Sequence, residues 1–594
     1  MSSLDSYRRY RQMACAPILL SIALFTAFNS ALRAGPADSL LRLVPPDSGA
    51  TLAVEDLKGT FRDVRESSLY DGLRKLPVVR EWLQSGRFQG IQDAVAKVEQ
   101  TLGEKVGVIR DALLGEAFVL TLHIPSGGRP DEARGILLIR VPDRELLDRV
   151  VGRLNAEKIA RGEIRRVSDR THQGVTYHVR ETPPGGHDAE FYASLDDHVF
   201  AWSNSEALIQ GAIDRQSGKS RGLFDEPAFR AVRDGLPARA IAALYVDPRF
   251  AVKVLAGSVS NPKPEDERVF ALVSRYLGAM NYAGASIAWR DGIVFQTREV
   301  FDNEKLTPGM KRWGTRKQSP DSILGRIPAT ALIAASGPVD PVVILDTITE
   351  LVAPADRTKL ANMFEALKGV MLGLNVRDDV AENFGPGIVA YIERPDVRVR
   401  ESRLPVVVAI EIARSPSGIK AGAAVANALR TLLAAHALDP KNSAFEGTIQ
   451  SKIVQGSEIT ALSVKSPYAF TVMESRLILG TSVGAVARAL DSQSDPTSGR
   501  VFAKFRETLF PEATHFLAAD LRAIHDFTNR ARSIMSRRLA GRQKISEAEA
   551  ARDLAQALAL IELFDVAFLS STVEPGFVAV NRSIGLVRQS ATRP

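Results

Sequence analysis

The order of secondary-structure signals in this chain of 594 residues occurs twice, and no other feature limits the possible folds as strongly. In the first part, an apolar stretch led by Gly115 precedes a second apolar stretch, a helical pattern, a hairpin region and a strand-to-helix step ending near Asp214. The same order returns with Gly385, 270 residues after Gly115, and with Asp491, 277 residues after Asp214. This nearly constant offset predicts two tandem halves with the same architecture.

Within each half, a proline leads into an apolar stretch that ends at an aspartate. Proline begins a strand without needing a backbone donor, and aspartate accepts hydrogen bonds from the free N–H groups at the start of a helix. We therefore expect strands that are each followed by a capped helix; in the alternative interpretation, the aspartates are paired catalytic carboxylates. The four units run from Pro45 to Asp56, from Pro237 to Asp247, from Pro328 to Asp340 and from Pro511 to Asp520.

The patterns inside each half are typical of an α+β fold. The helical segment after Asp143 carries a single apolar face, which must pack on a sheet. Apolar stretches joined by short turns indicate neighbouring antiparallel strands. The sequence therefore predicts two pseudo-equivalent halves, residues 35–315 and 323–594, each with antiparallel sheet and helices packed on one face. The polar residues 316–322 are the predicted linker.

Residues 1–34 have the three parts of a secretory signal peptide. A basic start precedes an apolar run from Ile18 to Phe28, and small residues follow at Ala31 and Ala34. The run is shorter than the roughly 20 apolar residues that a membrane-spanning helix needs. We expect a signal peptide, or an N-terminal anchor if it stays uncleaved, and an exported protein of the periplasm or cell envelope. Membrane contact is then expected only through this segment, and only if it is retained.

Composition excludes several classes of function. The single cysteine, Cys15, lies in the targeting segment, so the rest of the chain has no thiol nucleophile, thiolate metal site or disulfide. The net charge of +7 includes +3 from residues 1–34, and the remaining +4 gives no field that attracts nucleic acid. A local basic cluster is interpreted as a solvated helix face, because no aromatic side chains are interleaved with it. It comprises Arg530, Arg532, Arg537, Arg538, Arg542 and Lys544.

Two short stretches carry a resemblance to known proteins. They are residues 43–50 (LVPPDSGA) and residues 200–205 (FAWSNS). Together with the repeated architecture, they make the chain resemble a family of exported bacterial proteins catalogued only as a domain of unknown function. The resemblance covers most of the chain after residue 34. It implies an envelope location and transfers no functional residue.

Residues 480–484 (GTSVG) match the G-x-S-x-G nucleophile elbow of hydrolases. An apolar stretch precedes the match and a helical pattern follows it, as an elbow requires. In this hypothesis Ser482 is the nucleophile, and His515 or His525 with Asp520 are its candidate partners.

Two observations favour a structural role for this serine. The first half aligns Ser205 with Ser482 but lacks the flanking glycines, and Ser203 with Glu206 is predicted to form a helix capping box there. An elbow also needs a parallel sheet, whereas the pattern predicts an antiparallel one. Helix capping is therefore the preferred interpretation of Ser482.

Histidines and aspartates are concentrated between residues 172 and 198. Imidazole and carboxylate groups are zinc ligands, but the spacing fits no compact ligand pattern, and residues 453–479 of the second half contain no histidine. Polar strand faces are the preferred interpretation, and no metal is expected. The residues are His172, His178, His187, His198, Asp188, Asp196 and Asp197.

No cofactor is expected either. The stretch Gly218-Lys219-Ser220 resembles the end of a phosphate-binding loop, but Ile213 stands where the first glycine belongs. Three hypotheses follow: a non-enzymatic envelope protein that binds another protein or a surface polymer, a carrier of an apolar ligand, and a Ser482 hydrolase. The first hypothesis is preferred. Under it, no residue is predicted to be catalytic, to bind a cofactor or to bind a metal. The carrier hypothesis predicts an apolar cavity of at least about 300 Å³.

Overall fold

The structure is a computed structural model. It describes residues 35–124, 132–184, 189–258, 264–289, 292–315, 327–395, 404–438, 449–461, 468–491, 500–509 and 511–588. The predicted signal segment 1–34, including Cys15, the linker 316–322, and His187 with Asp188 lie outside the described residues. The α+β class predicted from the sequence is confirmed.

The strands alternate with groups of helices along the chain. In the first part of the chain, the strands are β1 Ala50–Glu55, β2 Ala117–His123, β3 Arg134–Arg140, β4 Arg166–His172, β5 Val175–Glu181, β6 Glu190–Ser194, β7 Val199–Ser203, β8 Ala242–Val246, β9 Met280–Trp289 and β10 Gly292–Phe301. They continue with β11 Ala331–Pro338, β12 Phe384–Glu393, β13 Val406–Ile412, β14 Gln450–Val454, β15 Ser457–Ala461, β16 Ala469–Met473, β17 Arg476–Gly480, β18 His515–Asp520, β19 Phe564–Glu574 and β20 Val578–Val587.

The helices are numbered in the same way. The first are α1 Pro36–Leu41, α2 Leu57–Arg65, α3 Ser68–Lys75, α4 Pro77–Leu83, α5 Gly86–Leu102, α6 Val106–Leu113, α7 Arg144–Ala160, α8 Glu206–Gln216, α9 Pro227–Arg233, α10 Pro248–Ser258 and α11 Pro264–Gly278. The others are α12 Pro308–Thr315, α13 Pro341–Leu351, α14 Pro354–Val370, α15 Pro416–Leu438, α16 Val483–Asp491, α17 Arg500–Leu509, α18 Leu521–Arg530, α19 Arg532–Gln543 and α20 Glu547–Ile561.

The chain divides into two compact units. Described residues of Met1–Pro262, Phe270–Lys305 and Glu574–Pro594 form unit 1, and those of Lys263–Val269 and Leu306–Val573 form unit 2. The division differs from the predicted halves chiefly at the C-terminal end. Strand β20 belongs to unit 1 because it pairs with β10 over the whole register from Val300↔Val578 to Gly292↔Leu586.

Every strand pairing in unit 1 is antiparallel, as the short turns predicted. The strand order is β4-β5-β6-β7-β3-β2-β1-β8-β9-β10-β20. Within unit 2, the order is β14-β15-β16-β17-β13-β12-β11-β18-β19, again antiparallel. Strands β1 to β9 and β11 to β19 therefore follow the same order. The superposition of the two halves stays a prediction.

Helices cover both faces of the unit 1 sheet, so the prediction of helices on one face was wrong. Successive residues of a strand point to opposite faces. In β3, Ile136 and Leu138 pack in the core that contains α1, α8 and α9, whereas Ile139 packs against α7. The physical reason is that β3 is apolar on both sides, and each side must be shielded from water. Helix α7 itself buries Leu146, Leu147, Val150 and Val151, as its periodicity predicted.

The four aspartates that end the repeated units are helix caps, which confirms that interpretation. The Asp56 carboxylate accepts from Gly59 N at 3.0 Å, and Asp247 accepts from Arg249 N at 2.8 Å. In unit 2, Asp340 accepts from the first free amides of α13, and Asp520 accepts from Ala523 N at 2.8 Å. The preceding prolines lie a few residues before the strands rather than at their first positions.

Candidate functional site

Ser482 caps helix α16 and does not occupy a nucleophile elbow. Its Oγ accepts a hydrogen bond from Ala485 N at 3.1 Å. The preceding strand, β17, lies between the antiparallel neighbours β13 and β16, whereas an elbow requires a parallel sheet. The capping interpretation is therefore confirmed.

The predicted partners of Ser482 lie elsewhere in the sheet. Strand β18, which begins at His515, is four strand positions away from β17, or about 19 Å at the usual spacing. The His515 ring instead contacts Thr514 Oγ1 and Pro338 O, and burial lowers the pKa of its imidazole. His525 contacts Asp526, and Asp520 caps α18. The structure does not bring a serine hydrolase triad together.

Two of the histidines between residues 172 and 198 pair with different carboxylates. His172 Nε2 lies 2.9 Å from Asp214, and His178 Nδ1 lies 2.7 Å from Asp169. His198 is exposed in the turn before β7. Among the described residues, no group of three histidine, cysteine or acidic side chains is placed to hold a metal ion.

The predicted capping box at Ser203 and Glu206 does not form. Ser203 ends β7, and its Oγ donates to Gly135 O at 2.7 Å while accepting from Ser205 N. The Glu206 carboxylate binds Arg170 and the Tyr177 hydroxyl instead. Tertiary partners on β4 and β5 therefore outcompete the local cap.

The predicted basic cluster spans two helices rather than one, because α18 ends at Arg530 and α19 begins at Arg532. Arg537 faces Glu547 at 3.7 Å, with most of its side chain in solvent. The Lys219 ammonium donates to Gln173 Oε1, outside any phosphate-binding loop.

Unit 1 contains an open cleft of about 1720 Å³, which we call the charged cleft. It lies where α1, the end of β1, the start of α2 and the end of α8 meet the loop 238–241. Six acidic and five basic side chains line it, so its net charge is close to neutral. They are Asp38, Glu55, Asp56, Asp63, Asp111, Glu116, Arg42, Lys58, Arg140, Arg215 and Arg239.

Short ionic contacts hold the acidic end of the cleft in place. Asp38 is 7% exposed and lies 2.9 Å from Arg233 Nη2. Glu55 Oε1 accepts from Ala37 N at 3.1 Å, which fixes the start of α1 against the end of β1. Burial raises the pKa of Glu55, the Arg233 charge opposes this, and the Asp38 and Asp56 carboxylates add to it. Burial also raises the pKa of Tyr245 behind this cluster.

Arg215 is the basic counterpart on the other side of the cleft. It follows the buried apolar face of α8, so its guanidinium is drawn into the protein. Its Nε donates to Leu43 O at 2.6 Å, while its buried Nη2 has no hydrogen-bond partner. Burial lowers the pKa of Arg215 to about 10, against the opposing charges of Asp47 and Asp214. The guanidinium therefore stays charged at neutral pH.

Neither Glu55 nor Arg215 stands out in the sequence. Two sequence features could have indicated them. Glu55 is a charged residue at the end of an apolar strand, and Arg215 is an arginine that continues the apolar face of a helix. Both are common at element ends, so only the tertiary structure shows that they share a cleft. The described lining of the cleft contains no histidine or cysteine, and its hydroxyls are those of Ser39 and Thr60. Ser39 Oγ donates to Pro36 O rather than to a base.

A smaller pocket lies in unit 2 between α15 and the strands β15 and β16. Its volume is about 270 Å³, and Ile419, Phe470 and Val472 line it together with the Arg430–Glu458 ion pair. Ligand pockets usually hold about 300–1000 Å³ and are largely apolar. This pocket is slightly smaller than the cavity that the carrier hypothesis predicts, and eleven charged side chains line the larger, charged cleft.

No family model and no curated protein matches this chain. A solved structure, described as crystal form IV of TP0453, matches with 11% sequence identity and a TM-score of 0.24. The match covers 44% of this chain and 79% of that chain. A TM-score this low gives no information about function. No helix in the described part of the chain is sufficiently long and apolar to span a membrane.

Proposed function

We propose that the protein is a non-enzymatic binding module exported to the cell envelope, and that the charged cleft is its binding site. The single observation that carries this proposal is an open cleft of about 1720 Å³ lined by six acidic and five basic side chains. Charged groups that line an open cleft can bind complementary charges of a partner.

The partner is expected to be an extended polar segment of an envelope protein or surface polymer. The cleft exceeds the usual size of small-molecule pockets. The cleft carries both acidic and basic side chains, so a partner with both kinds of charge fits it best. Pairing of opposite charges then fixes the position of the partner in the cleft, and repulsion excludes segments with the wrong charge pattern. An acidic group of the partner would bind at Arg215 and Arg239, since guanidinium groups pair with carboxylates in a bidentate geometry.

The arrangement gives no support to hydrolysis. Ser482 caps a helix, His515 is about four strand positions away from it, and the described cleft lining offers no nucleophile with a base. Nucleophilic catalysis requires the two groups within hydrogen-bonding distance of each other. Binding is therefore the better proposal for this surface.

The test uses exported protein immobilised on a matrix and incubated with envelope extract at low and high salt. We expect wild type to retain a ligand, and Arg239→Glu to reduce retention at least tenfold at low salt. Arg239 is exposed, so this variant should melt as wild type does. Arg430→Glu in the unit 2 pocket is the matched control and should retain the ligand. Equal retention by wild type and Arg239→Glu would refute the cleft as the binding site.

A further inference from the structure

Helix α5 exposes a row of apolar side chains that follows a heptad repeat. Its large apolar residues are spaced alternately three and four positions apart, as positions a and d of a coiled coil are. They are Phe88, Ile91, Val95, Val98 and Leu102. Leu102 is buried in the apolar cluster of α6 and α7, whereas Ile91 is 51%, Val95 37% and Val98 45% exposed. The described part of the chain therefore leaves the first four, which we call the α5 row, largely uncovered.

Helix α4 adds exposed apolar side chains at the N-terminal end of this row. Trp82 is 47% exposed, and the centre of its ring lies 4.9 Å from that of the Phe88 ring. Val78, one turn earlier in α4, is 50% exposed. Exposed apolar patches of several hundred Å² mark interaction surfaces, and tryptophan is a frequent anchor of protein interfaces. None of these residues lines the charged cleft, so this surface is separate from the binding site proposed above.

Charge argues against a lipid surface as the partner of the α5 row. Helices α4 and α5 together carry three basic and three acidic side chains, so they are electrically neutral. Helices that lie on a membrane have a polar face rich in lysine and arginine, which anionic lipids attract. A narrow a/d row is instead typical of a helix that packs on another helix. The charged residues are Arg80, Arg87, Lys97, Glu81, Asp93 and Glu99.

We propose that the α5 row binds the α5 row of a second copy of this chain, with the two helices antiparallel. Knobs-into-holes packing then seats Ile91 against Val95 of the second copy, and Phe88 against Val98 of the second copy. Because the pair has twofold symmetry, each of these contacts occurs twice. Trp82, which lies beside Phe88, extends the contact past Val98 of the second copy.

The residues beside the row are complementary to themselves, as a twofold interface requires. In the antiparallel pair, Ala94 lies opposite Ala94 of the second copy, and this small side chain lets the helices approach closely. Arg87 lies opposite Thr101 of the second copy, and Glu99 lies opposite Ser85. The pairing therefore brings no like charges together, which would oppose association.

The attachment of α5 to the rest of unit 1 favours the antiparallel orientation. The fixed end of α5 is its C-terminal end, where Leu102 is buried and its carbonyl accepts from the Arg153 guanidinium. Antiparallel helices place the two copies of unit 1 at opposite ends of the pair, whereas parallel helices would crowd them at one end. The apolar side chains of the surface expose on the order of 400 Å² per copy. Since interfaces below about 1200 Å² in total are weak, we expect a dimer that forms at micromolar concentrations.

The first experiment measures the mass of the purified exported protein by sedimentation velocity at concentrations up to about 200 μM. We expect a monomer–dimer equilibrium for wild type and a monomer for Val95→Glu, which places a charge inside the apolar row. Val108→Glu is the matched control, because Val108 is 47% exposed on α6 and lies outside the row. It should dimerise as wild type does. A wild type that stays monomeric, or an equal effect of the two substitutions, would overturn the proposal.

The second experiment tests the orientation of the helices by disulfide cross-linking. Cys15 is the only cysteine of the chain, so a Cys15→Ser background has no other thiol. Ile91→Cys and Val95→Cys are prepared separately in this background, and each is oxidised alone and in an equimolar mixture. We expect cross-linked dimers chiefly in the mixture, because a disulfide requires Cα atoms within about 7 Å and the antiparallel pair brings residue 91 next to residue 95.

Two results of the cross-linking would overturn the antiparallel contact. The first is no cross-linking in the mixture. The second is cross-linking of either variant alone as efficiently as in the mixture, since parallel helices bring identical positions together. Both experiments are done without a ligand, so their results are independent of the binding function proposed for the charged cleft.

Discussion

At the scale of single residues, the polar side chains that suggested catalysis form hydrogen bonds with backbone groups and are not arranged for a reaction. Ser482 and Asp520, the most suggestive residues of the sequence, each accept a hydrogen bond from an amide at the start of a helix. His515 is half-buried beside a carbonyl oxygen, and its ring stacks on Trp313 with an interplanar angle of 4°. Their contribution is therefore to stability.

Replacing Ser482 with alanine tests the cap. We expect Ser482→Ala to lower the free energy of unfolding by about 1 kcal/mol, because the Ala485 amide in the first turn of α16 loses its acceptor. Ser482→Asp, which retains an acceptor, should restore most of the stability in urea titrations. A hydrolase activity of the wild type that disappears in Ser482→Ala would instead revive the nucleophile hypothesis.

The lowered pKa of His515 predicts that the stability of unit 2 depends on pH. Burial lowers the pKa of its imidazole, so the folded state resists protonation while the unfolded chain binds a proton near pH 6.5. This contribution is fully present above pH 6.5 and is lost as the pH falls below it. His515→Gln should therefore flatten the loss of melting temperature between pH 7 and pH 5. Thr514→Val, which keeps the imidazole, should show the wild-type slope; identical slopes in all three proteins would contradict the prediction.

At the scale of elements, the helix caps differ in how much tertiary structure depends on them. Asp340 is 1% exposed and binds two amides of α13 as well as the Arg312 guanidinium. Asp520 accepts from one amide of α18. Equivalent positions in the repeated units thus have unequal energetic roles.

The difference between these caps can be measured directly. Asp340→Ala should cost about 3 kcal/mol, since it removes a cap and leaves a partly buried arginine with fewer partners. Asp520→Ala should cost about 1 kcal/mol. Denaturant titrations of unit 2 distinguish these values, and equal costs would show that the Arg312 contact contributes little.

The β5–β6–β7 part of the unit 1 sheet buries a guanidinium. Arg180 is 1% exposed, lies 4.0 Å from the Trp202 ring centre and pairs with Glu190 at 2.8 Å. Its Nε and Nη2 have no hydrogen-bond partner. Burying these unbonded donors costs stability that the pair with Glu190 only partly offsets.

Truncating Glu190 should destabilise the protein more than replacing Arg180 with an apolar residue of similar volume. Glu190→Ala leaves a buried, uncompensated charge and should cost about 3 kcal/mol. Arg180→Met fills similar volume without unbonded donors and should change the unfolding free energy by less than about 1 kcal/mol. Thermal or urea unfolding gives both values, and a larger cost for Arg180→Met than for Glu190→Ala would contradict this reasoning.

At the scale of the whole molecule, unit 1 is discontinuous in sequence. Its sheet ends with β20, whose Val580, Ile584 and Val587 are buried. Further contacts accompany the ladder, including Arg298 Nη1 to Glu574 at 2.8 Å. The folding of unit 1 therefore requires residues that lie almost 280 positions after β10 in the sequence, as the pair Val300↔Val578 shows.

Truncation tests this dependence. A chain that ends at Val573 should lose the cooperative transition of unit 1, because each of the three buried side chains contributes about 1.5–3 kcal/mol of transfer free energy and β10 becomes an unpaired edge. A chain that ends at Arg588 keeps β20 and is the control for shortening. Hydrogen exchange and calorimetry report the two units separately, and an unchanged unit 1 transition in the shorter chain would contradict the role of β20.

The sequence by itself determined the class of fold, the helix caps and the alternation of strands and helices, because hydrophobic period, proline, glycine and aspartate act over a few residues. It also indicated that Ser482 is a cap. Only the tertiary structure decided that helices cover both faces of β3, that β20 joins unit 1, and that Glu55 and Arg215 share one cleft. These features depend on contacts between residues tens to hundreds of positions apart, such as Val300 with Val578. Local patterns carry no information about which distant surface shields an apolar face or compensates a charge.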